Sequence, residues 1–405
     1  MSHPGTLILI MAIAVLAPLL AYAAARRLTV PVAIFEIGLG IVIGPDALGW
    51  AHPDELIDTL STLGLSMLIF LSGYEIEFAA VRGDTLRRAV GAWVLTLALA
   101  LGITFALTGA QATKSFVIGT ALTSTALGAV LPMLRDSAVL HSRFGTVMMA
   151  FGAVGEFGPI IAMALLLSGR APGAATALLA AFAAVTAGAL YWAMRPRPPW
   201  FARIVATTLH TSGQFAVRLV MLLLAVMLGL SVAFGLDTLL GAFAAGLLTR
   251  LILHGAAPES SAEVLGKIEA MGFGFLVPVF FIVTGINFDL HALLGGGRSL
   301  LLLPVFLLLF LLLRGAPAWL LAPRDLSRRE RTSLTLYCAT CLPLVVAITT
   351  IGVDDGVLGQ GEAAALVGAA MLSILAFPLM ALKALAPHQH QARPSDSVAQ
   401  TSESW

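Results

Sequence analysis

Apolar residues in this chain run in long unbroken blocks, separated by short polar, Gly and Pro punctuation. Cutting at those breaks gives thirteen blocks, near residues 6–23, 30–45, 61–78, 89–108, 115–133, 144–168, 173–194, 214–234, 237–254, 269–286, 299–320, 333–352 and 362–385. Continuous rather than alternating runs predict helices, and about 20 apolar residues at 1.5 Å per residue cross the roughly 30 Å hydrocarbon core of a bilayer. Barrel strands, which alternate polar and apolar positions, do not fit. The predicted fold is an all-α polytopic membrane protein of about thirteen transmembrane helices, with residues 1–386 as the transmembrane domain. The polar stretch 387–405 lacks the apolar content to fold and is expected to be a disordered cytoplasmic tail.

Composition supports that reading. The chain is 59% hydrophobic and 11% charged, with a mean hydropathy of +0.96, where soluble domains carry roughly 25% charged residues. A net charge of +1 without a basic stripe gives no footing to a nucleic-acid partner. The N-terminus MSHPGTLILI has no basic region ahead of its apolar block, so that block is expected to stay as the first helix. Cys338 and Cys341 form a CxxC inside an apolar block and are expected to pack rather than to bind metal or cycle redox state. No cofactor is expected.

Charge placement changes the picture further. With the N-terminus outside, eighteen of the 23 Lys and Arg residues fall in inner loops, three (Lys114, Arg170 and Arg298) in outer ones, and Arg218 and Arg314 within spans. Positive residues stay on the cytoplasmic side, so the expected arrangement is N-terminus out and C-terminus in, in a plasma (inner) membrane.

The blocks also repeat. Block 3 ends IFLSGYEIEF (Ile69 to Phe78) and block 10 continues FIVTGINFDL (Phe281 to Leu290), with Gly73 and Gly285 in register. GLGIVIG in block 2 pairs with LGAFAAG in block 9, and the interruption TSTALG (Thr123 to Gly128) in block 5 pairs with CATCLPL (Cys338 to Leu344) in block 12, where Pro343 marks the break. Each pair is offset by seven helices, an odd number, so the two copies must run in opposite directions. Inverted repeats with paired broken helices crossing at the midplane are the architecture of secondary transporters.

Glu156 lies near the middle of block 6, where a charge costs at least roughly 2.5–3.5 kcal/mol. Desolvation there favours the neutral carboxyl, which could hold a proton or a metal cation in turn. The small neighbours Gly155 and Gly158 would let another helix or an ion approach. Thr123, Ser124 and Thr125 sit at the first break, where unwinding would offer carbonyl and hydroxyl oxygens to a hard cation; back-bonding within an ordinary membrane helix is the competing role. Glu75 could ligand the ion or pair with Arg218, and the ion pair is the stronger expectation. Glu77 closes the same block. Glu36 fits a gate or a structural role equally, and Arg314 needs a partner that the sequence does not name. No nucleophile–base set supports an enzyme.

With these motifs in place, the chain resembles the cation:proton antiporter superfamily, and more narrowly its monovalent cation:proton antiporter-2 branch, over roughly residues 6–385. LIFLSGYEIEF, ALTSTALGAVLP, LLGAFAAGLL, KIEAMGFGFLVPVFFIVTGINFDL and CATCLPLVVAITTIGV carry the likeness. The resemblance implies exchange of Na⁺ or K⁺ for H⁺ by alternating access and a homodimer. It places the proton- and cation-binding carboxylate on Glu156, ion-contacting positions on Thr123, Ser124 and Thr125, and a further acid on Glu75. Relatives carry an Asp-Asp, Asn-Asp or Gln-Asp pair where this chain has Gly155-Glu156. A second core acid or a core lysine has no counterpart, so one titrating carboxylate and electroneutral exchange are expected. The sequence ends about 20 residues after its last block, so a fused nucleotide-binding domain is not expected. The competing expectations are a solute symporter on a related inverted-repeat fold, for example for an organic anion, and a membrane sensor in which Glu156 is only structural.

Overall fold

In the computed structural model, residues 3–24, 30–76, 83–137, 139–140, 142–166, 172–193, 199–256, 258–295 and 297–385 are described. In chain order the helices are α1 (His3–Ala24), α2 (Val32–Ile43), α3 (Glu55–Glu75), α4 (Gly83–Leu107), α5 (Ala112–Ala121), α6 (Leu127–Asp136), α7 (Arg143–Leu166), α8 (Pro172–Ala193), α9 (Pro199–Thr208), α10 (Phe215–Ala233), α11 (Thr238–Ala256), α12 (Pro258–Met271), α13 (Val277–Ile286), α14 (Leu290–Gly295), α15 (Gly297–Leu309), α16 (Ala316–Leu321), α17 (Arg328–Cys338), α18 (Pro343–Asp354) and α19 (Gln360–Leu385). Wider π-helical turns join α12 to α13 (Gly272–Leu276) and α15 to α16 (Phe310–Gly315). Strands are absent among the described residues, as the unbroken apolar blocks predict. The tail 387–405 and Glu77 lie outside the described residues.

Among the described residues, eleven helical runs are long and apolar enough to cross a membrane. The two remaining blocks are present in other forms. Block 2 is a helix of 12 residues, Val32–Ile43. Block 5 is two half-helices, α5 and α6, separated by an extended stretch at the Thr/Ser run. The run containing α17 and α18 is interrupted in the same way between Cys338 and Pro343. Proline at the start of α18 has no N–H to continue the ladder, which fixes the second break. Block 10 starts earlier than its hydropathy suggests, because the polar helix Pro258–Met271 runs directly into it.

The inverted repeat is visible in the packing. α3 lies along α11, and α13 lies along α2, the same pairing with the two repeats exchanged. Both contacts depend on the paired glycines. A Cβ on Gly73 would stand 2.5 Å from the Phe243 carbonyl of α11, and a Cβ on Gly285 would stand 2.2 Å from the Ile37 carbonyl of α2. Backbones this close leave no room for a side chain, which is how small residues join helices in lipid.

The helices sort into two panels. α1, α2, α3, α10, α11, α12 and α13 pack on one another as a scaffold, and α4 to α7 with α15 to α19 form a second unit around the breaks.

Candidate ion-binding site

The two extended breaks touch. Ala126 N donates to the Thr340 carbonyl at 2.8 Å, joining the first break to the second. Thr125 N donates to the Gly155 carbonyl on α7 at 2.9 Å, and Thr125 Oγ1 donates to the Cys338 carbonyl at 2.7 Å. Interrupting a helix frees backbone groups that must find partners away from water, and here each break supplies them to the other. Cys338 and Cys341 are both buried at this crossing, with Cys341 N bonded to Ser373 Oγ at 3.1 Å.

Glu156 projects from the middle of α7 and is 2% exposed. Its Oε1 lies 3.0 Å from Ser72 Oγ, on scaffold helix α3, while Oε2 has no hydrogen-bond partner among the described residues. The site carboxylate therefore belongs to one panel and its hydroxyl partner to the other.

Arg314 finds its partners here. It is fully buried on the π-helical turn Phe310–Gly315, where Nε donates to Thr125 Oγ1 at 2.9 Å and Nη2 donates to the Phe151 carbonyl at 2.8 Å. No ion pair joins it to Glu156 within 4.0 Å among the described residues. The small residues flanking Glu156 make this possible. A Cβ on Gly155 would stand 2.3 Å from Arg314 Nη2 and 2.5 Å from Thr125 Oγ1, and one on Gly158 would meet the Trp93 ring at 2.3 Å. A side chain at 155 is excluded because the Arg314 guanidinium occupies that space.

The Thr/Ser run is brought to the crossing but spends its hydroxyls on backbone. Thr123 Oγ1 donates to the Thr120 carbonyl at 2.8 Å and Ser124 Oγ to the Ala121 carbonyl at 2.9 Å. Thr125 clamps Arg314 and α17. These are the back-bonding contacts weighed as the competing role. Their carbonyl and hydroxyl lone pairs still line the break.

The expected Glu75–Arg218 pair does not form. Arg135 of α6 binds Glu75 at 2.9 Å and approaches Glu269 of α12 at 3.6 Å. Arg218 instead donates to the Ser212 carbonyl at 3.2 Å, because α10 packs against α9, α11 and α12 rather than against the end of α3. Glu36 is 4% exposed on α2 and makes no ion pair among the described residues. Pro343 opens α18 beside the crossing.

Two cavities lie at opposite ends of α3, and only the second is lined by Ser72, the hydroxyl partner of Glu156. A cavity of about 550 Å³ opens where α3 and α19 begin and α13 and α18 end, lined by acids that include Asp58, Asp237, Asp289 and Asp354. Burial pushes the Asp237 carboxyl above its ordinary range, opposed by the Leu239 N–H at 2.8 Å. At the other end a pocket of about 20 Å³ lies between Ser72, Gly128, Glu75, Arg135 and Glu269. Ser72, Arg135 and Glu269 escaped notice in the sequence. The one available signal was that Ser72 precedes Glu75 by three residues, which places both on one helix face.

Relatives share this architecture. A protein of Bacillus subtilis (strain 168) named as a candidate Na⁺/H⁺ antiporter, YjbQ, is 28% identical over 408 residues, covering 94% of this chain and 63% of its own length. The chain thus spans less than two thirds of that relative. A Na⁺/H⁺ antiporter of Enterococcus hirae is 23% identical, covering 65% of this chain and 68% of its own. The structure of MjNhaP1, a sodium proton antiporter of Methanocaldococcus jannaschii, superposes with a TM-score of 0.67 at 16% identity, covering 95% of this chain and 97% of that one. The fold is the same. Residues 11–382 match the family described as the sodium/hydrogen exchanger, transmembrane, and this chain belongs to it.

Proposed function

We propose that this protein exchanges a monovalent cation, Na⁺ or K⁺, for H⁺ by alternating access, with Glu156 carrying each in turn. The observation behind this reading is that Glu156 is buried where two broken helices cross and touches the opposing panel through Ser72. A carboxylate in that position is tolerated when a proton or a cation neutralises it. Because both compete for one group, neither crosses without being exchanged for the other. The names of relatives fit this activity, and one, GerN of Bacillus cereus, is a Na⁺/H⁺-K⁺ antiporter.

Arg314 bears on stoichiometry. Arginine stays charged throughout, unlike a buried lysine. The mobile unit then carries a protonated Glu156 plus Arg314 in one direction and an ionised Glu156, a cation and Arg314 in the other. The net charge is equal in both, so exchange of one proton per cation is electroneutral. With the N-terminus outside, as the Lys and Arg distribution favours, the acidic cavity faces outward and the Glu75–Arg135 pair closes the cytoplasmic side. A homodimer formed through the scaffold and residence in the plasma membrane complete the reading.

The test uses purified protein in proteoliposomes with an entrapped pH dye. Imposed Na⁺, K⁺ or Li⁺ gradients should drive proton movement in wild type and none in Glu156→Gln. Equal dye responses in the two proteins would overturn the proposal.

A further inference from the structure

The cavities at the two ends of α3 are counterparts in the inverted repeat. Four residues of α3, among them Ser72 and Glu75, line the small pocket. At the register that sets Gly73 on Gly285, all four counterparts, among them Thr284 and Asn287, line the large cavity. The match also holds in reverse: Phe273 lines the small pocket, and its counterpart Ser61 lines the large cavity. Local bonding agrees, since Ser72 Oγ lies 3.1 Å from the Leu68 carbonyl and Thr284 Oγ1 lies 2.8 Å from the Phe280 carbonyl, one turn back in each helix. The half-helix after each break completes the correspondence, α6 at the small pocket and α18 at the large cavity.

Shape is repeated, but charge is not. At the small pocket the scaffold presents two carboxylates, Glu75 and Glu269, and the last turn of α6 places Arg135 2.9 and 3.6 Å from them. At the large cavity the scaffold presents Asp58, Asp237 and Asp289, and the last turn of α18 brings another acid, Asp354. Among the described residues, no Lys, Arg or His lines that cavity. Two basic side chains on the same side are engaged elsewhere: Lys114 with Glu362 at 2.6 Å, and the His291 ring with Asp46 at 3.1 Å.

We infer that the two mouths are electrostatically unequal gates: Arg135 latches the small pocket shut, the matching turn of α18 carries an acid instead, and the arrangement with the large cavity open is therefore the carrier's resting state. The inference rests on the alternating access proposed above, though not on which mouth faces outward. Inverted repeats reach the opposite state by rocking one bundle against the other. That motion presses the end of α18 onto the scaffold, as the end of α6 is pressed here. At the small pocket such a contact joins opposite charges. At the large cavity it sets Asp354 against Asp58 and Asp289, and like charges repel more strongly as water is squeezed from between them. One mouth closes on an attraction and the other against a repulsion.

The experiment installs the missing latch. Full chains in lipid nanodiscs, where both mouths meet water, carry one reporter, Leu131→Cys in the small pocket or Ala347→Cys in the large cavity. Each reacts with a neutral, water-soluble maleimide. Asn287→Glu together with Asp354→Arg gives the large cavity the charges that Glu75 and Arg135 bring to the small pocket. In that background the Leu131→Cys rate should rise, by up to about fivefold for one exposed ion pair, and the rise should shrink in about 1 M salt. Asn287→Glu alone, an acid without a base, should not raise it. If the double variant is not recovered, Asp58→Asn with Asp354→Asn, which removes repulsion without adding attraction, should raise the same rate by less. An unmoved Leu131→Cys rate would overturn the inference, as would a slower Ala347→Cys rate with no gain at Leu131→Cys, the mark of a local plug. Cation-driven exchange that is equal in wild type and Glu156→Gln would instead remove the exchanger reading beneath it.

Discussion

Arg314 and Gly155 occupy one space: the guanidinium Nη2 lies where a side chain at 155 would begin, 2.3 Å from the position of its Cβ. Any residue larger than glycine must push the arginine off the Phe151 carbonyl, off Thr125, or both. Charge-assisted bonds of this kind contribute about 1.5–3 kcal/mol each. Gly155→Ala should therefore lower stability by at least about 1.5 kcal/mol and reduce exchange. Gly155→Asn, which brings in a larger side chain, should be worse. Thermal unfolding in detergent and the pH-dye assay read both effects. A Gly155→Asn protein as stable and active as wild type would show that Arg314 is not held in this way.

One-for-one exchange at Glu156, with Arg314 charged throughout, would be electroneutral. Clamping the membrane potential with K⁺ and an ionophore should leave the rate of Na⁺-driven proton movement unchanged in wild type. A current that reverses with the combined ion and proton gradients would refute one-for-one exchange.

Arg135 ties the second unit to the scaffold at Glu75 and Glu269. Its side chain is 52% exposed, so the pairs should contribute no more than about 1 kcal/mol to stability. Their effect should fall on opening. In Arg135→Gln, a cysteine introduced at Leu131, which lines the small pocket, should react faster with a water-soluble thiol reagent while the melting temperature stays near that of wild type. The native Cys338 and Cys341 are buried and give a low background. Equal labelling rates would count against a closing role.

The acidic cavity should act on cation supply. Four carboxylates around one mouth raise the local concentration of cations, an effect that salt screens. Neutralising Asp237 and Asp354 together, by Asp→Asn at each, should raise the apparent KM for the cation at low ionic strength, with the difference shrinking as salt is added. Since burial raises the Asp237 pKa, its charge is lost earlier than that of an ordinary aspartate as pH falls. The Asp237→Asn single variant should therefore differ most from wild type at alkaline pH. A KM unchanged at low salt would remove the cavity from the entry route.

The sequence by itself determined the membrane setting, the helical class, the order of the spans, both breaks and the inverted repeat. Those properties are written in local signals: apolar run length, proline and Thr/Ser interruptions, and glycines in register. Glu156 was legible for the same reason, since an acid at mid-span stands out without any partner. What only the tertiary structure decided was pairing. The partner of Glu75 proved to be Arg135 and not Arg218, because which helix ends meet depends on how the panels pack. The partners of Arg314 are a hydroxyl and a carbonyl from two other helices, and carbonyls leave no mark in a sequence. Ser72, one hydroxyl in an apolar helix, acquires meaning only when the fold sets it 3.0 Å from the buried carboxyl. Gly155 reads in the sequence as room for another helix or an ion, and the fold fills that room with an arginine.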